Sequence, residues 1–481
     1  MRLKIKCLPL ILILTLFSCN STSQNERNNF DPCNCEEAYK DLVDKLESNY
    51  IGLAQKRLSN EDKAYEERKA NYAKKASKID AEHCTSFLND FLSFFEDGHL
   101  FVTEYPNYSE TEITEIKQEI KKQKISGDEL NRMSMNDSIS KHLMADSILG
   151  GWTDGDSKFV VVKEDSIYKA YILSSTIEGI EPGELKAIFH PYSDGYEVDY
   201  YSYGYNKRYV RGNVFKEGVM FRAGNIFWIR NTPSYNAAIE TIDKTDFNLP
   251  TLTKLDQKHT LITVPSFLVD GRSFKNFIDD NERAIKNSEN LIIDIRGNIG
   301  GNGIYFPLIE TYATQNMKGD RQGLVLASPD NLAYFERQIQ YSRKIYKPVV
   351  NRIKENEGNI IDGPLYPEKK YKIRESKIKN VAILTDEACA SAAESFILHS
   401  KKSSTKVKTF GKPTNGMIDY TSVNSVLLNS GKQYIYFGYP TGTLHKEIPN
   451  DGYNKTGIIP DVSIQDDVKD KIDFIIQVYQ N

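Results

Sequence analysis

The stretch Val381-Ala-Ile-Leu-Thr-Asp-Glu-Ala-Cys-Ala-Ser-Ala-Ala-Glu-Ser-Phe396 decides how this 481-residue chain is read. Val381 to Leu384 is a short apolar run of the kind that forms a buried strand, and Ser391 to His399 has the small and apolar spacing of a helix with Ser391 in its first turn. A side chain at that point faces unpaired backbone N–H groups and the positive end of the helix dipole, which favour developing negative charge. Such surroundings suit a nucleophile that forms a tetrahedral oxyanion. They equally describe an ordinary helix cap, which is far commoner, so the stretch alone does not assign the serine.

Working outward, the chain from about Thr251 alternates strands with helices: His259 to Val264, a helix over Ser273 to Ala284, and a buried strand over Leu291 to Ile295. That strand runs into Arg296-Gly-Asn-Ile-Gly-Gly-Asn-Gly303, a turn whose backbone N–H groups can approach a ligand closely. It lacks the Gly-Lys-Ser/Thr of a phosphate-binding loop and is no dinucleotide turn. Residues 317–378 form a long polar insertion, helical around Leu332 to Glu355, that could overhang a cleft. Beyond Ser391 follow a strand over Lys406 to Phe410, a turn over Gly411 to Gly416, a hairpin between Ser422 and Tyr439, and Gly457-Ile-Ile-Pro-Asp461 ahead of a terminal helix.

Upstream, short strands between Gly150 and Arg230, separated by turns such as Asp194-Gly195, read as an antiparallel module, a small barrel or a curved sheet. Its tyrosines (Tyr196, Tyr200, Tyr201, Tyr203, Tyr205) read as cross-strand pairs before they read as a binding face. Cys35 to Phe95 has helical periodicity and ends abruptly at Glu96-Asp97-Gly98-His99, where a ring can project into a cleft. Cys35 and Cys84 could staple two neighbouring helices. Zinc held by Cys33, Cys35, His83 and Cys84 is the weaker alternative, because Cys-x-Cys spacing is unusual for that metal.

The first residues read as an address. Arg2, Lys4 and Lys6 precede an apolar run from Cys7 to Phe17 that is too short to span a bilayer as a stable helix. Net charge is −4 and no long basic block occurs, which argues against a nucleic-acid partner.

Leu16-Phe-Ser-Cys19 resembles a bacterial lipoprotein box. The resemblance implies cleavage before Cys19, lipid on its sulfur, and a protein tethered in the cell envelope. Three further blocks, Leu291-Ile-Ile-Asp-Ile-Arg-Gly-Asn-Ile-Gly-Gly301, Ala390-Ser-Ala-Ala-Glu394 and Gly457-Ile-Ile-Pro-Asp461, resemble in this order the C-terminal processing (tail-specific) serine peptidases. That likeness implies an α/β, multi-domain protein with a ClpP/crotonase-like core and Ser391 as nucleophile.

The better-known branch of that family pairs its serine with a lysine, and the corresponding position here is Met417, which cannot accept a proton. Lys412 lies close by, on the wrong side of its turn, and no PDZ segment is recognisable. Asp97-Gly98-His99 instead resembles the histidine turn of the tricorn-core-like branch, which implies His99 as base. Backbone N–H groups of Ala392 and of Gly300 or Gly301 would bind the oxyanion. A carboxylate should orient His99. The family's acid lies near the Gly-x-x-Pro-Asp block, with Asp451 first and Glu447 as alternative, although Asn454 is the position that best aligns. Asp97 ranks last because it is so near its own histidine in sequence.

Glu394 reads as fixing the helix start, Cys389 as a small buried filler, Asp294 with Arg296 as a structural pair, and His399 and His445 as structural or exposed. The expected organisation is a signal peptide (1–18), polar tether (19–32), helical bundle (33–104), connection (105–145), antiparallel module (146–250) and peptidase core (251–481). The expected activity is cleavage of exported or envelope polypeptides, with no metal or cofactor. The rival is a catalytically silent lipoprotein that binds peptides or lipophilic ligands on the same fold. Acyl-CoA chemistry ranks below both, since export removes the protein from CoA.

Overall fold

A computed structural model describes residues 34–480 apart from 59–61, 106–107, 135–147, 155, 193–194, 216–219, 224–225, 231–248, 320–321, 374, 431–433, 445–451, 455, 466 and 469. The signal segment, the lipidation candidate Cys19, Cys33, His445, and the candidate acids Glu447 and Asp451 lie outside the described residues. No described helix is long and apolar enough to cross a membrane.

The architecture is α/β and multi-domain. Its centre is a six-stranded sheet in which Thr251–Lys254 lies antiparallel to His259–Thr263, followed in parallel by Asn290–Asp294, Asn380–Thr385, Val407–Gly411 and Val462–Ser463. Strands buried on both faces read as continuous apolar runs, and alternate side chains leave on opposite sides. Leu291, Ile293, Val381 and Ile383 accordingly enter the core beneath the helices Gly271–Asn287 and Ala392–Ser403. Ile292, Ala382 and Leu384 enter the opposite core with Ile475 of the terminal helix Lys471–Gln480. Asp294 and Thr385 end neighbouring parallel strands, so the glycine turn and the Ser391 turn leave the same sheet edge side by side. Ligands of open parallel sheets collect at such carboxyl ends.

A second, five-stranded sheet is built around Tyr434–Thr443, which pairs with Tyr420–Leu428 on one side and with Phe101–Tyr105 and Gln322–Leu326 on the other. The insertion at 317–378 is helical where expected, over Pro329–Gln338 and Arg343–Glu355, and also contributes structure that its polar texture concealed, the strands Gln322–Leu326 and Ile360–Leu365. The helical bundle shares a core with this second sheet. Leu42, Leu46, Leu88 and Phe91 pack in one cluster with Leu428, Ile435 and Phe437. Phe91 is fully buried and makes ring contacts with Tyr39, Tyr65 and Tyr72. Truncating a phenylalanine packed in this way costs about 3–5 kcal/mol.

Cys35 and Cys84 form a disulfide that joins the helices Cys35–Asn49 and Ala81–Leu92, so neither sulfur is a zinc ligand. His83, the other ring considered for zinc, pairs its Nδ1 with Asp80 at 2.7 Å. Among the described residues no group of three or more His, Cys, Asp or Glu could hold a metal.

The antiparallel module is a closed barrel of the strands between Gly150 and Arg230, sealed where Trp152 pairs with Arg230. Trp152, Phe159, Phe189, Phe221 and Trp228 fill its interior. Of the tyrosines, Tyr196 packs edge-on against Tyr168 and Phe189, while Tyr200 and Tyr203 lie against the buried Lys186.

Candidate active site

Ser391 sits between the strand Asn380–Thr385 and the helix Ala392–Ser403 with φ 54° and ψ −113°. A non-glycine residue held at positive φ costs on the order of 1–3 kcal/mol and persists only where its surroundings over-determine it. Here they do. Glu394, fully buried one turn later, accepts the Ser391 N–H at 2.8 Å, and its other oxygen accepts the Thr414 hydroxyl at 2.5 Å and the Gly416 N–H at 2.8 Å. Burial pushes this carboxyl above its usual range, and the hydrogen bonds from Thr414, Gly416 and Ser391 oppose that rise. Glu394 thus ties the serine turn to the 414–417 loop.

His99 arrives from the opposite end of the sequence. Its Nε2 is 3.0 Å from Ser391 Oγ, across a separation of 292 residues. The 3-10 turn Ser93–Phe95 ends at Glu96, whose φ of 52° reverses the chain. Asp97 Oδ1 then accepts the His99 N–H at 2.9 Å, while the Tyr50 hydroxyl donates to Asp97 Oδ2 at 2.9 Å. From Phe101 onward the chain is locked into the second sheet, where Phe101 lies opposite Gly438 and Tyr105 opposite Tyr434. Gly98 leaves room for Met417, whose Sδ would lie 2.5 Å from a β-carbon there. Met417, which the sequence reading set in the place of a lysine, therefore packs on the histidine turn. Lys412 is engaged elsewhere, with Glu387 at 2.9 Å.

Burial lowers the His99 pKa, while the Asp97 charge and the Tyr420 backbone act to raise it, leaving it below the ordinary histidine value. A neutral imidazole is what a proton acceptor requires. Nδ1 faces Asp97 Oδ1 at 3.8 Å, beyond hydrogen-bond length, and the negative charge there favours a proton on that nitrogen. That tautomer, inferred from the surroundings, leaves the Nε2 lone pair toward Ser391.

Asp97, ranked last from sequence, is thus the described carboxylate that faces the ring. The left-handed Glu96 folds it back onto the amide of its own histidine, a geometry that proximity in sequence permits after all. Asn454 lies behind the same turn, its Nδ2 3.4 Å from Glu96 O. Asp419 fixes that segment by accepting the N–H groups of Tyr453 at 2.6 Å and Asn454 at 2.8 Å.

The glycine turn is braced from within. Asn298 Oδ1 accepts the Gly300 N–H at 2.9 Å, and Asn298 O accepts the Ala390 N–H at 3.1 Å. Gly300, expected as a possible oxyanion donor, has thereby committed its amide. Gly301 and Ala392 N–H donate to no acceptor among the described residues. Gly300 has φ 101°, and a β-carbon there would lie 2.7 Å from Ala390 O and 2.8 Å from Ala392 N. Only glycine lets the two turns approach this closely.

Cys389 is fully buried and donates its thiol to Ile295 O at 3.1 Å, and burial pushes its pKa up. It is an inert filler. Arg296 closes on Asp294 through two bonds of 3.0 Å.

Ser391 and His99 open into a cleft of about 790 Å³. Tyr305, Phe306 and His399 line one side, with His399 Nδ1 bonded to the Tyr305 hydroxyl at 2.9 Å and its ring stacked on Phe306. Tyr334, Tyr346, Pro364 and Tyr366 of the insertion line the other.

Residues 258–464 match the family model of peptidase family S41. Solved structures similar to the chain include mature CPAF complexed with lactacystin, at 13% identity and TM-score 0.47 over 89% of this chain and 94% of that one. The photosystem II D1 C-terminal processing protease is similar at 11% identity and TM-score 0.35, over 90% and 93%. The tricorn protease is similar at 12% identity and TM-score 0.37, over 90% of this chain and 34% of that one. No curated protein matches the sequence. The matched span contains the glycine turn, Ser391 and the Gly457–Asp461 block.

Proposed function

We propose that this chain is a serine endopeptidase that works through Ser391 and His99. The observation that carries the reading is the 3.0 Å approach of His99 Nε2 to Ser391 Oγ, beside two N–H groups that have no acceptor among the described residues. Nε2 takes the hydroxyl proton as Oγ attacks the scissile carbonyl, and the N–H groups of Ala392 and Gly301 receive the oxyanion. The imidazolium, facing Asp97, then gives its proton to the leaving amine. Water attacks the acyl-enzyme with His99 again as base, which frees Ser391. The substrate is an extended polypeptide in the cleft. With Cys19 as lipid anchor, that substrate would be an exported or envelope protein.

The 3.8 Å gap between His99 Nδ1 and Asp97 favours a second reading, a silent relative that binds peptides without cleaving them. Incubation with an unfolded polypeptide separates the two. Fragments formed by the wild-type chain and absent with Ser391→Ala and His99→Ala support the peptidase. Binding without fragments supports the silent relative.

A further inference from the structure

The barrel lies outside the span matched by the peptidase family, and the chemistry above uses none of its residues. It nevertheless reaches the oxyanion turn. Arg222, on the barrel strand Met220–Ala223, is only 7% exposed, and its Nη1 donates to Gly297 O at 2.9 Å. The N–H of the same Gly297 goes to Asp386 Oδ1 at 2.9 Å, and Asp386 also accepts Ala388 N–H in the turn that leads to Ser391. One residue is thus gripped from both sides, by the barrel and by the serine turn. Its φ of 74° places it outside helix and strand geometry, so these side-chain bonds hold it.

From Gly297 the constraint passes through Asn298, whose carbonyl takes the Ala390 N–H and whose side chain takes the Gly300 N–H. The next amide is that of Gly301. Burying a guanidinium is unfavourable unless its hydrogen bonds repay it, and burial alone pushes this one down to about 10. Its strand neighbours Phe221 and Ala223 enter the barrel core, and successive side chains of a strand leave on opposite faces.

We propose that Arg222 is a positioning residue of the oxyanion turn, through which the barrel holds Gly297 so that the Gly301 N–H faces the oxyanion formed on Ser391. The kinetic side of this inference rests on the peptidase reading, whereas its effect on the turn does not. An oxyanion donor acts only if placed before the reaction begins, and displacement by about 1 Å can cost on the order of a hundredfold in rate.

The test uses the full chain with Arg222→Gln and Arg222→Lys, read by steady-state kinetics on a polypeptide substrate and by amide hydrogen exchange. Arg222→Gln should lower kcat by about tenfold or more with KM changed by less than about twofold, and Arg222→Lys should recover part of the loss. Exchange in the segment 295–303 should rise in Arg222→Gln while the barrel hairpin 157–175 stays as protected as before. Unchanged exchange at 295–303 overturns the inference, as does a rise spread through the barrel, or a raised KM with kcat intact. A wild-type chain that cleaves nothing defeats the peptidase reading, and the exchange result still decides this one.

Discussion

The Tyr50 hydroxyl donates to Asp97 Oδ2 at 2.9 Å, inside the seam where the helical bundle meets the second sheet. Tyr50, fully buried, lies against the rings of Phe95 and Tyr420. A bundle tyrosine thus sets the carboxylate that faces the candidate base, which gives the bundle a stake in the chemistry.

The pH dependence follows from that pair. His99 is lowered by burial and raised by Asp97. Activity, which needs the neutral ring, should already exceed half of its plateau at about pH 6.5, the ordinary histidine value. Asp97→Asn removes the charge that raises His99, so the acid limb of kcat/KM should move to lower pH while the plateau falls. An acid limb that stays in place or moves upward counts against Asp97 facing the base. For stability, an unfolded chain binds the His99 proton more readily than the folded one, so this residue's contribution is lost as pH falls from about 6.5 through the lowered folded value. Asp97 and Glu394, both raised by burial, act in the opposite sense, and their contribution is lost as pH rises from the usual carboxylate range through their raised values.

Gly300→Ala should disable the site without disturbing the sheet. The added carbon meets Ala390 O and Ala392 N within 2.8 Å and must push the two turns apart. Loss of one oxyanion donor typically costs about 10²–10³ in kcat. Unfolding midpoints of variant and wild type should differ far less than their turnover, and kcat within a factor of about two of wild type would refute the assigned contact.

Glu394→Gln replaces one of two acceptor oxygens with a donor. Both oxygens already accept bonds in a fully buried position, so one amide would meet an N–H or hydroxyl donor. We expect a stability loss of about 1–3 kcal/mol in urea unfolding, together with reduced turnover as Ser391 relaxes from its positive φ. A neutral substitution would mean that the strain at Ser391 is held by other contacts.

The disulfide between Cys35 and Cys84 spans 49 residues and braces the helices that precede His99. Replacing both cysteines with serine should cost about 2–4 kcal/mol in denaturant unfolding, by freeing the unfolded chain. Activity should fall at moderate urea, where the bundle loosens before the core. Identical unfolding curves would place the bundle's stability elsewhere.

Much of the core was legible because its signals are local. Val381–Leu384 and Leu291–Ile295 are uninterrupted apolar runs, and Gly98 marks the histidine turn. What escaped depends on distant partners. No glycine flags the positive φ at Ser391, because Glu394 and the 414–417 loop hold it. The strands Gln322–Leu326 and Ile360–Leu365 are short and broken by Gly323, Gly363 and Pro364, and they are defined by pairing with each other and with Gly442. Barrel closure rests on the pairing of Trp152 with Arg230, which no local pattern announces. Tyr50, Asp419, Asn298 and Asp386 were missed as site supports for the same reason.

The central claim is that His99 activates Ser391, and covalent labelling by a fluorophosphonate tests it most directly. The expected result is an adduct mapped by mass spectrometry to Ser391, absent in Ser391→Ala, and formed at least about a hundredfold more slowly in folded His99→Ala. An adduct that forms as fast without the imidazole, or none at all on the folded wild-type chain, would contradict the account.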